Sequence, residues 1–253
     1  MTDQSTLWRT RYARQISLPN WGEAGQHALA NKTVMIIGLG GLGSPVATYL
    51  AASGVGTLKL NDFDSVDLSN LPRQPLHSSE DVNRLKVESA QERLRAINPL
   101  VDYKPLPSRL TETELRDALS DCHCVVDCTD NFGSRFAINR AAIATGTPLV
   151  SAAAIREEGQ LAVFRHDVSD SPCYRCLYAE SDEATGDCQG QGVMSPLVGV
   201  VGSMAATAVL NILVYNDNNA GSLLLFDARR LQWRAITLRK DPHCPACSEG
   251  GQT

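Results

Sequence analysis

Apolar residues along the chain fall first into short β-branched runs and then into longer stripes of helical spacing. Residues 33–37 (Thr-Val-Met-Ile-Ile) are such a run and meet glycines at once, after which 44–53 read as a helix stopped by Gly54. A second strand over 57–60 runs into Asn61-Asp62-Phe63-Asp64, and 80–97 has the spacing of a long amphipathic helix closed by Asn98-Pro99. Leu115 and Leu119 mark a short helix that Thr111 and Glu114 open as a capping box, each side chain satisfying the other's backbone N–H. Residues 124–127 read as a strand, 135–145 as a helix with Gly146 beyond its end, and 148–151 as another strand. Strands and helices alternating at this spacing predict an α/β fold. Its Rossmann-like, doubly wound and mostly parallel sheet is covered by helices on both faces.

After Ala154 the pattern changes. Residues 160–165 alternate like a half-buried strand, 167–192 are a long polar stretch with three cysteines, and an apolar helix follows from about Ser195. Residues 223–227 and 232–238 read as an antiparallel pair around Ala228-Arg229-Arg230, and a short tail carries the last two cysteines. The expectation is one domain over 1–253, with an N-terminal helical segment (1–30), a nucleotide-binding core (31–154) and a region of different architecture (155–253).

Composition narrows the classes. With 43% hydrophobic and 20% charged residues the chain is of ordinary globular type, and a net charge of −5 argues against nonspecific nucleic-acid binding. Residues 1–14 hold Asp3, Arg9, Arg11 and Arg14 and no apolar core of the kind a secretory signal needs, so a cytoplasmic location is expected. Residues 196–215 are nearly apolar and long enough to span a bilayer. Gly199, Gly202, Ser203, Thr207 and Asn211 interrupt them and no basic cluster flanks them, so a buried core or dimer-interface helix is expected and no membrane span.

Two features carry candidate chemistry. Gly38-Leu39-Gly40-Gly41-Leu42-Gly43 satisfies G-x-G-x-x-G directly between a strand and a helix. Gly38, Gly40, Gly41 and Gly43 let backbone approach a phosphate, and the helix N-terminus offers free N–H groups. Asp62 and Asp64 end the next strand, where a carboxylate accepts hydrogen bonds from a ribose; the loop alone does not choose between NAD and ATP. Cys173-x-x-Cys176 and Cys244-x-x-Cys247 are two knuckles that suit tetrahedral thiolate ligation of zinc. With 67 residues between them, they would staple the loop after the nucleotide core to the C-terminal tail. Cys122, Cys124 and Cys128 alternate along the predicted strand as small core residues.

In order along the chain stand R-Y-x-R-Q-I (from Arg11), G-L-G-G-L-G, D-x-D-x-V with L-S-N-L-x-R-Q, K-V-E, D-C-T-D-N, C-Y-R-C-L and C-P-x-C. On these motifs the chain resembles the ThiF/MoeB/HesA family, the bacterial relatives of ubiquitin-activating enzymes. The resemblance implies adenylation of the C-terminal Gly-Gly carboxylate of a small ubiquitin-like sulfur-carrier protein, with ATP and Mg2+ as cofactors and a structural Zn2+. By that analogy Arg73 and Lys86 are the phosphate cations, Asn70 binds the phosphates, Asp62 the ribose, and Asp130 holds magnesium. Arg14 is expected to reach the ATP of the second subunit of a homodimer. The chemistry agrees with such a set: bringing a carboxylate to a phosphate needs cations, and no general base is required because the carboxylate is already ionised.

Ala152-Ala153-Ala154-Ile155-Arg156-x-Glu158-Gly159-Gln160 is closer to MoeB, which serves molybdopterin synthesis, while Gln232-Trp233-Arg234 is also compatible with ThiF, which serves thiazole synthesis. In ThiF-like members a cysteine at the place of Cys188 forms an acyl-disulfide with the carrier; in MoeB-like members it is dispensable, and Gln189-Gly190-Gln191 departs from both patterns. No rhodanese domain follows Cys247, so a separate persulfide donor is expected. An NAD-dependent oxidoreductase leaves Arg73, Lys86, Asp130 and the cysteine knuckles unexplained, and an inactive scaffold leaves the full set of charged positions unexplained.

Overall fold

The computed structural model describes residues 4–179, 191–217 and 220–248. Eight strands form one sheet in the order β3-β2-β1-β4-β5-β6-β7-β8. β1 (Thr33–Ile37) sits inside, parallel to β2 (Thr57–Asn61) and β4 (Cys124–Asp127), with β3 (Asp102–Leu106) and β5 (Leu149–Ile155) extending the parallel half outwards. From β5 the direction alternates through β6 (Glu158–Phe164), β7 (Ser222–Asp227) and β8 (Gln232–Thr237). One sheet therefore has a parallel half and an antiparallel half.

Both faces are covered, as a buried parallel sheet requires. Val34 and Ile36 point into one core with α3 (Gly43–Ser53), α4 (Lys86–Ile97) and α8 (Ser195–Leu210); Met35 and Ile37 point into the other with α5 (Glu112–Leu119), α6 (Phe132–Thr145) and α7 (Tyr174–Leu177). At the start of the chain lie α1 (Gln4–Ile16) and α2 (Gly22–Ala30), with Tyr12 buried and its hydroxyl accepting from Asn98 Nδ2 at 2.8 Å.

Several expectations change in detail. β3 was not legible: it holds Pro105, which central strands exclude, but it lies at the sheet edge where a missing N–H is tolerated. α4 begins at Lys86 and not at residue 80. A 3₁₀ turn over Ser79–Asp81 is closed by the Ser78/Asp81 capping box, Asn83 takes φ 73°, and Leu85 bridges to Ser65 before the helix opens. α6 begins at Phe132, three residues before the expected start, because the Asn131 side chain accepts the Ser134 N–H at 2.9 Å. β5 and β6 are longer than expected, meeting in a tight hairpin whose Arg156 has φ 52°. Cys122 precedes β4; it sits in a turn where its thiol donates to the Ala118 carbonyl, whereas Cys124 and Cys128 are buried as expected.

The apolar helix is a core element. Leu197, Val201, Ala205 and Val209 form one buried stripe at i, i+4 spacing, and the helix ends in a π-helical turn over Asn211–Tyr215. By length and composition 195–215 is a candidate span, and 44% of its apolar window is buried inside the fold. A Cβ on Gly202 would lie 2.4 Å from Pro45 Cγ and 2.6 Å from the Leu42 carbonyl oxygen, so α8 presses directly on the start of α3. On its other side a Cβ on Gly159 would meet Val201 at 2.5 Å. α8 thus bridges the glycine-loop helix and the antiparallel half.

Candidate functional site

A cavity of about 1560 Å³ opens at the C-terminal ends of β1, β2, β4 and β5 and continues over the antiparallel half. This is where parallel α/β sheets place their ligands. Gly38, Gly40 and Gly41 line it, and Gly43 opens α3. The glycines are needed sterically at two points. Gly38 has φ 91° and a Cβ there would lie 2.8 Å from the Cys128 carbonyl oxygen; a Cβ on Gly43 would lie 1.9 Å from the Gly38 carbonyl oxygen.

Asp62 stands below this loop, 8% exposed. Its Oδ2 accepts the Leu39 N–H at 2.7 Å and its Oδ1 the Asp64 N–H at 2.9 Å, so the carboxylate first shapes the glycine loop. Lys86 Nζ lies 3.0 Å from Asp64 and 3.9 Å from Asp62. Burial raises the Asp62 pKa, and the Lys86 charge and the two backbone donors oppose that shift.

Asn70 and Arg73 lie on a 3₁₀ segment, Leu68–Arg73, which Asp67 caps by accepting the Ser69 N–H at 2.8 Å. Both side chains line the cavity, and Arg73 Nη1 donates to the Ser69 carbonyl at 2.9 Å. Asp130 lines the cavity from the turn beyond β4; it is exposed and has no ion-pair partner among the described residues. The turn is fixed from beneath. Buried Asp127 accepts from Thr129 N at 3.0 Å and Oγ1 at 2.7 Å, while Arg135 donates to the Thr129 carbonyl and, at 2.9 Å, to that of Ala152, and lies 3.9 Å from Asp127.

The structure therefore brings Gly38, Gly40, Gly41, Asp62, Asn70, Arg73, Lys86 and Asp130 around one cavity. Arg14 is exposed on α1 and does not line the cavity of its own chain. Cys188 lies outside the described residues. Sequence reasoning missed Arg135, Gln74, Arg109, Tyr178, Gln160, Arg230 and Arg234, all of which line the cavity. Arg109 stacks over the Phe63 ring at 4.6 Å, and the Tyr178 hydroxyl donates to Gln160 Oε1 at 2.8 Å. Arg135, set five residues beyond Asp130 on the helix that the same turn opens, and Gln74, Gln160 and Arg234, which lie within quoted segments, carried a usable signal; Arg109, Tyr178 and Arg230 belong to no motif.

Next to Tyr174, which lines the cavity, Cys173, Cys176, Cys244 and Cys247 bring their sulfurs within 4.8 Å of one another. Cys173 is 3.9 Å from Cys176 and 3.7 Å from Cys244, and Cys176 is 3.6 Å from Cys247. Tetrahedral thiolates around zinc, with bonds of about 2.3 Å, stand about 3.8 Å apart, so these four are spaced as ligands of one ion and not as disulfides. The Asp241 N–H points at Cys176 Sγ at 3.5 Å.

The model of the ThiF family matches residues 12–246. The sulfur carrier protein ThiS adenylyltransferase of Escherichia coli is 44% identical over 237 residues, covering 94% of each chain. The molybdopterin-synthase adenylyltransferase of the same organism is 43% identical over 250 residues, covering 98% of this chain and 99% of the relative. Among solved structures, E. coli MccB with MccA-N7isoASN superposes with TM-score 0.82 at 19% identity, over 95% of this chain and 75% of that one, which establishes the shared fold.

Proposed function

We propose that this chain, which belongs to the ThiF family, transfers the adenylyl group of ATP to the C-terminal carboxylate of a ubiquitin-like sulfur-carrier protein. The observation that carries this reading is the continuity of one cavity. Among the described residues, a phosphate cradle of Gly38, Gly40 and Gly41, with Arg73 and Lys86 beside it, continues into a wall of half-buried Gln160 and Tyr178 and exposed Arg230 and Arg234. A hydride-transfer site needs no such wall; a site that must admit the tail of another protein does.

In the reaction a carboxylate oxygen of the carrier attacks the α-phosphorus, an O–P bond forms, and the bond to pyrophosphate breaks with its electron pair leaving on pyrophosphate. Attack by one anion on another is slow unless cations spread the charge. Arg73 and Lys86 supply that charge, Asn70 donates to phosphate oxygens, and each Asp62 oxygen keeps capacity for a second hydrogen bond from a ribose hydroxyl. An exposed carboxylate without a protein cation, as Asp130 has, fits magnesium, which binds through one or two carboxylates together with phosphates and water. When bound, magnesium would neutralise charge on the leaving pyrophosphate. The sulfur spacing of the four cysteines fits zinc as a closed structural site.

The relatives named for two different carriers are equally similar to this chain, so the carrier separates two readings. We take the molybdopterin-synthase small subunit as substrate; the 44% match to the ThiS adenylyltransferase supports the thiazole carrier, with Cys188 forming an acyl-disulfide, as the second. Incubating the enzyme with ATP, magnesium and each purified carrier, then weighing the carrier by intact mass spectrometry, tests both. Gain of one AMP on either carrier selects that reading, and gain on neither rejects both. A cytoplasmic setting and a separate protein as persulfide donor belong to either reading.

Arg14 supports a homodimeric catalytic unit, since it sits on an exposed helix face away from its own cavity. Mixing an Arg14→Ala chain with an Asp130→Ala chain should return up to half of wild-type activity per heterodimer, because one site then carries both lesions and the other none. No recovery after confirmed subunit exchange would place Arg14 in its own subunit's site.

A further inference from the structure

One buried side chain beside the cavity has no part in the mechanism above. His77 is 5% exposed and lies three residues beyond Gln74, in a turn closed by its own N–H to the Gln74 carbonyl at 3.1 Å. Its ring spans two other elements: Nε2 is 3.1 Å from the Leu39 carbonyl oxygen and Nδ1 is 2.8 Å from Ser89 Oγ. A carbonyl can only accept, so the hydrogen resides on Nε2, and the unprotonated Nδ1 faces the Ser89 hydroxyl, whose single hydrogen it shares with the neighbouring Asp81 carboxylate. Burial lowers the His77 pKa, in keeping with a neutral ring.

The three elements joined by this ring are the three that face the phosphates. Leu39 is in the glycine loop, and its N–H is already held by Asp62. His77 continues the segment that carries Asn70 and Arg73. Ser89 is one turn beyond Lys86 on α4. A glycine loop has little conformational preference of its own, so the direction of its N–H groups depends on what holds its carbonyls. Both backbone groups of Leu39 are held by side chains, Asp62 on one and His77 on the other.

We propose that His77, with Ser89, is a positioning residue that fixes the Leu39 carbonyl and sets the glycine loop, the Arg73 segment and the Lys86 helix in one register for the ATP phosphates. The inference rests on the ATP reading given above. It differs from a packing role in which atom matters: only a donor at the place of Nε2 reaches Leu39.

The test is calorimetric binding of a non-hydrolysable ATP analogue with magnesium, without carrier. In His77→Gln the amide nitrogen can take the place of Nε2, and affinity should stay within about threefold of wild type. In His77→Asn the amide reaches only as far as Nδ1, and with His77→Ala it should weaken binding about tenfold, the worth of one lost hydrogen bond and a loosened loop. Ser89→Ala should weaken binding about threefold, since the ring keeps its bond to Leu39 but loses its orientation. ATP titrations of pyrophosphate exchange should show the loss in KM and little in kcat. Equal affinity for the Asn and Gln variants would overturn the proposal, and where those variants do not fold, unchanged affinity of Ser89→Ala would do so. A wild-type protein that binds no analogue would instead bring down the ATP reading itself.

Discussion

The two ends of the cavity, one over the parallel half of the sheet and one over the antiparallel half, hold their charged residues in opposite ways. In the parallel half Asp62, Lys86, Asp127 and Arg135 are nearly buried, and each already has its partners. In the antiparallel half β8 is exposed along its whole length, and Arg230, though paired with Asp227 at 2.9 Å, keeps 75% of its side-chain surface in water. Ordering a charged cradle before the ligand arrives lowers the cost of binding a small, highly charged molecule. A wall for a macromolecule is completed by its partner, and its donors stay in water until then. The difference separates what the fold prepares from what the partner must bring.

The comparison breaks most sharply at Asp130. Asp130→Ala should lower carrier-dependent pyrophosphate exchange about a thousandfold. Because Asp130 is exposed and has no ion-pair partner among the described residues, the melting temperature should move by no more than about 2 °C. Exchange near the wild-type rate at saturating magnesium would remove Asp130 from the reaction.

At the cysteine cluster, which joins α7 to the C-terminal tail, the largest effect should be on stability. Cys176→Ser should release the bound zinc and lower the melting temperature by about 5 °C or more, since ligation free energy is also folding free energy. Elemental analysis beside a thermal melt reads both. Protein prepared without chelators that contains no zinc would reject the metal, whatever the sulfur spacing.

The smallest effect should come from the open wall. Arg234→Ala should raise KM for the carrier about fivefold and leave KM for ATP unchanged, with the difference shrinking as salt is added, as rim charges behave. A matching rise in KM for ATP would mean that the two halves do not divide the work as described.

Legibility followed the same division. The parallel half could be read because its strands, glycine loop and caps are set by local physics. Thr33–Ile37, the Thr111/Glu114 capping box and the Gly54 and Gly146 ends all stand where spacing places them. Failures arose where tertiary position overrides local preference. Pro105 is tolerated only because β3 is an edge, and α4 is delayed to Lys86 by the Ser78 turn and the Ser65–Leu85 bridge. The ring of Gly38, Asp62, Asn70, Arg73, Lys86 and Asp130 was found because it rides on motifs. Arg109 and Tyr178 join the lining only through folding, since each comes from a different segment without a pattern of its own, and His77 stands behind it in the same way.

The central claim is that this site joins an adenylyl group to a protein carboxylate, and ATP–pyrophosphate exchange measures that step in isolation. With labelled pyrophosphate, ATP and magnesium, label should enter ATP only when a carrier with an intact C-terminal carboxylate is present, and not when that carboxylate is amidated. Exchange that proceeds equally with the amidated carrier, or that no carrier elicits, would contradict the account.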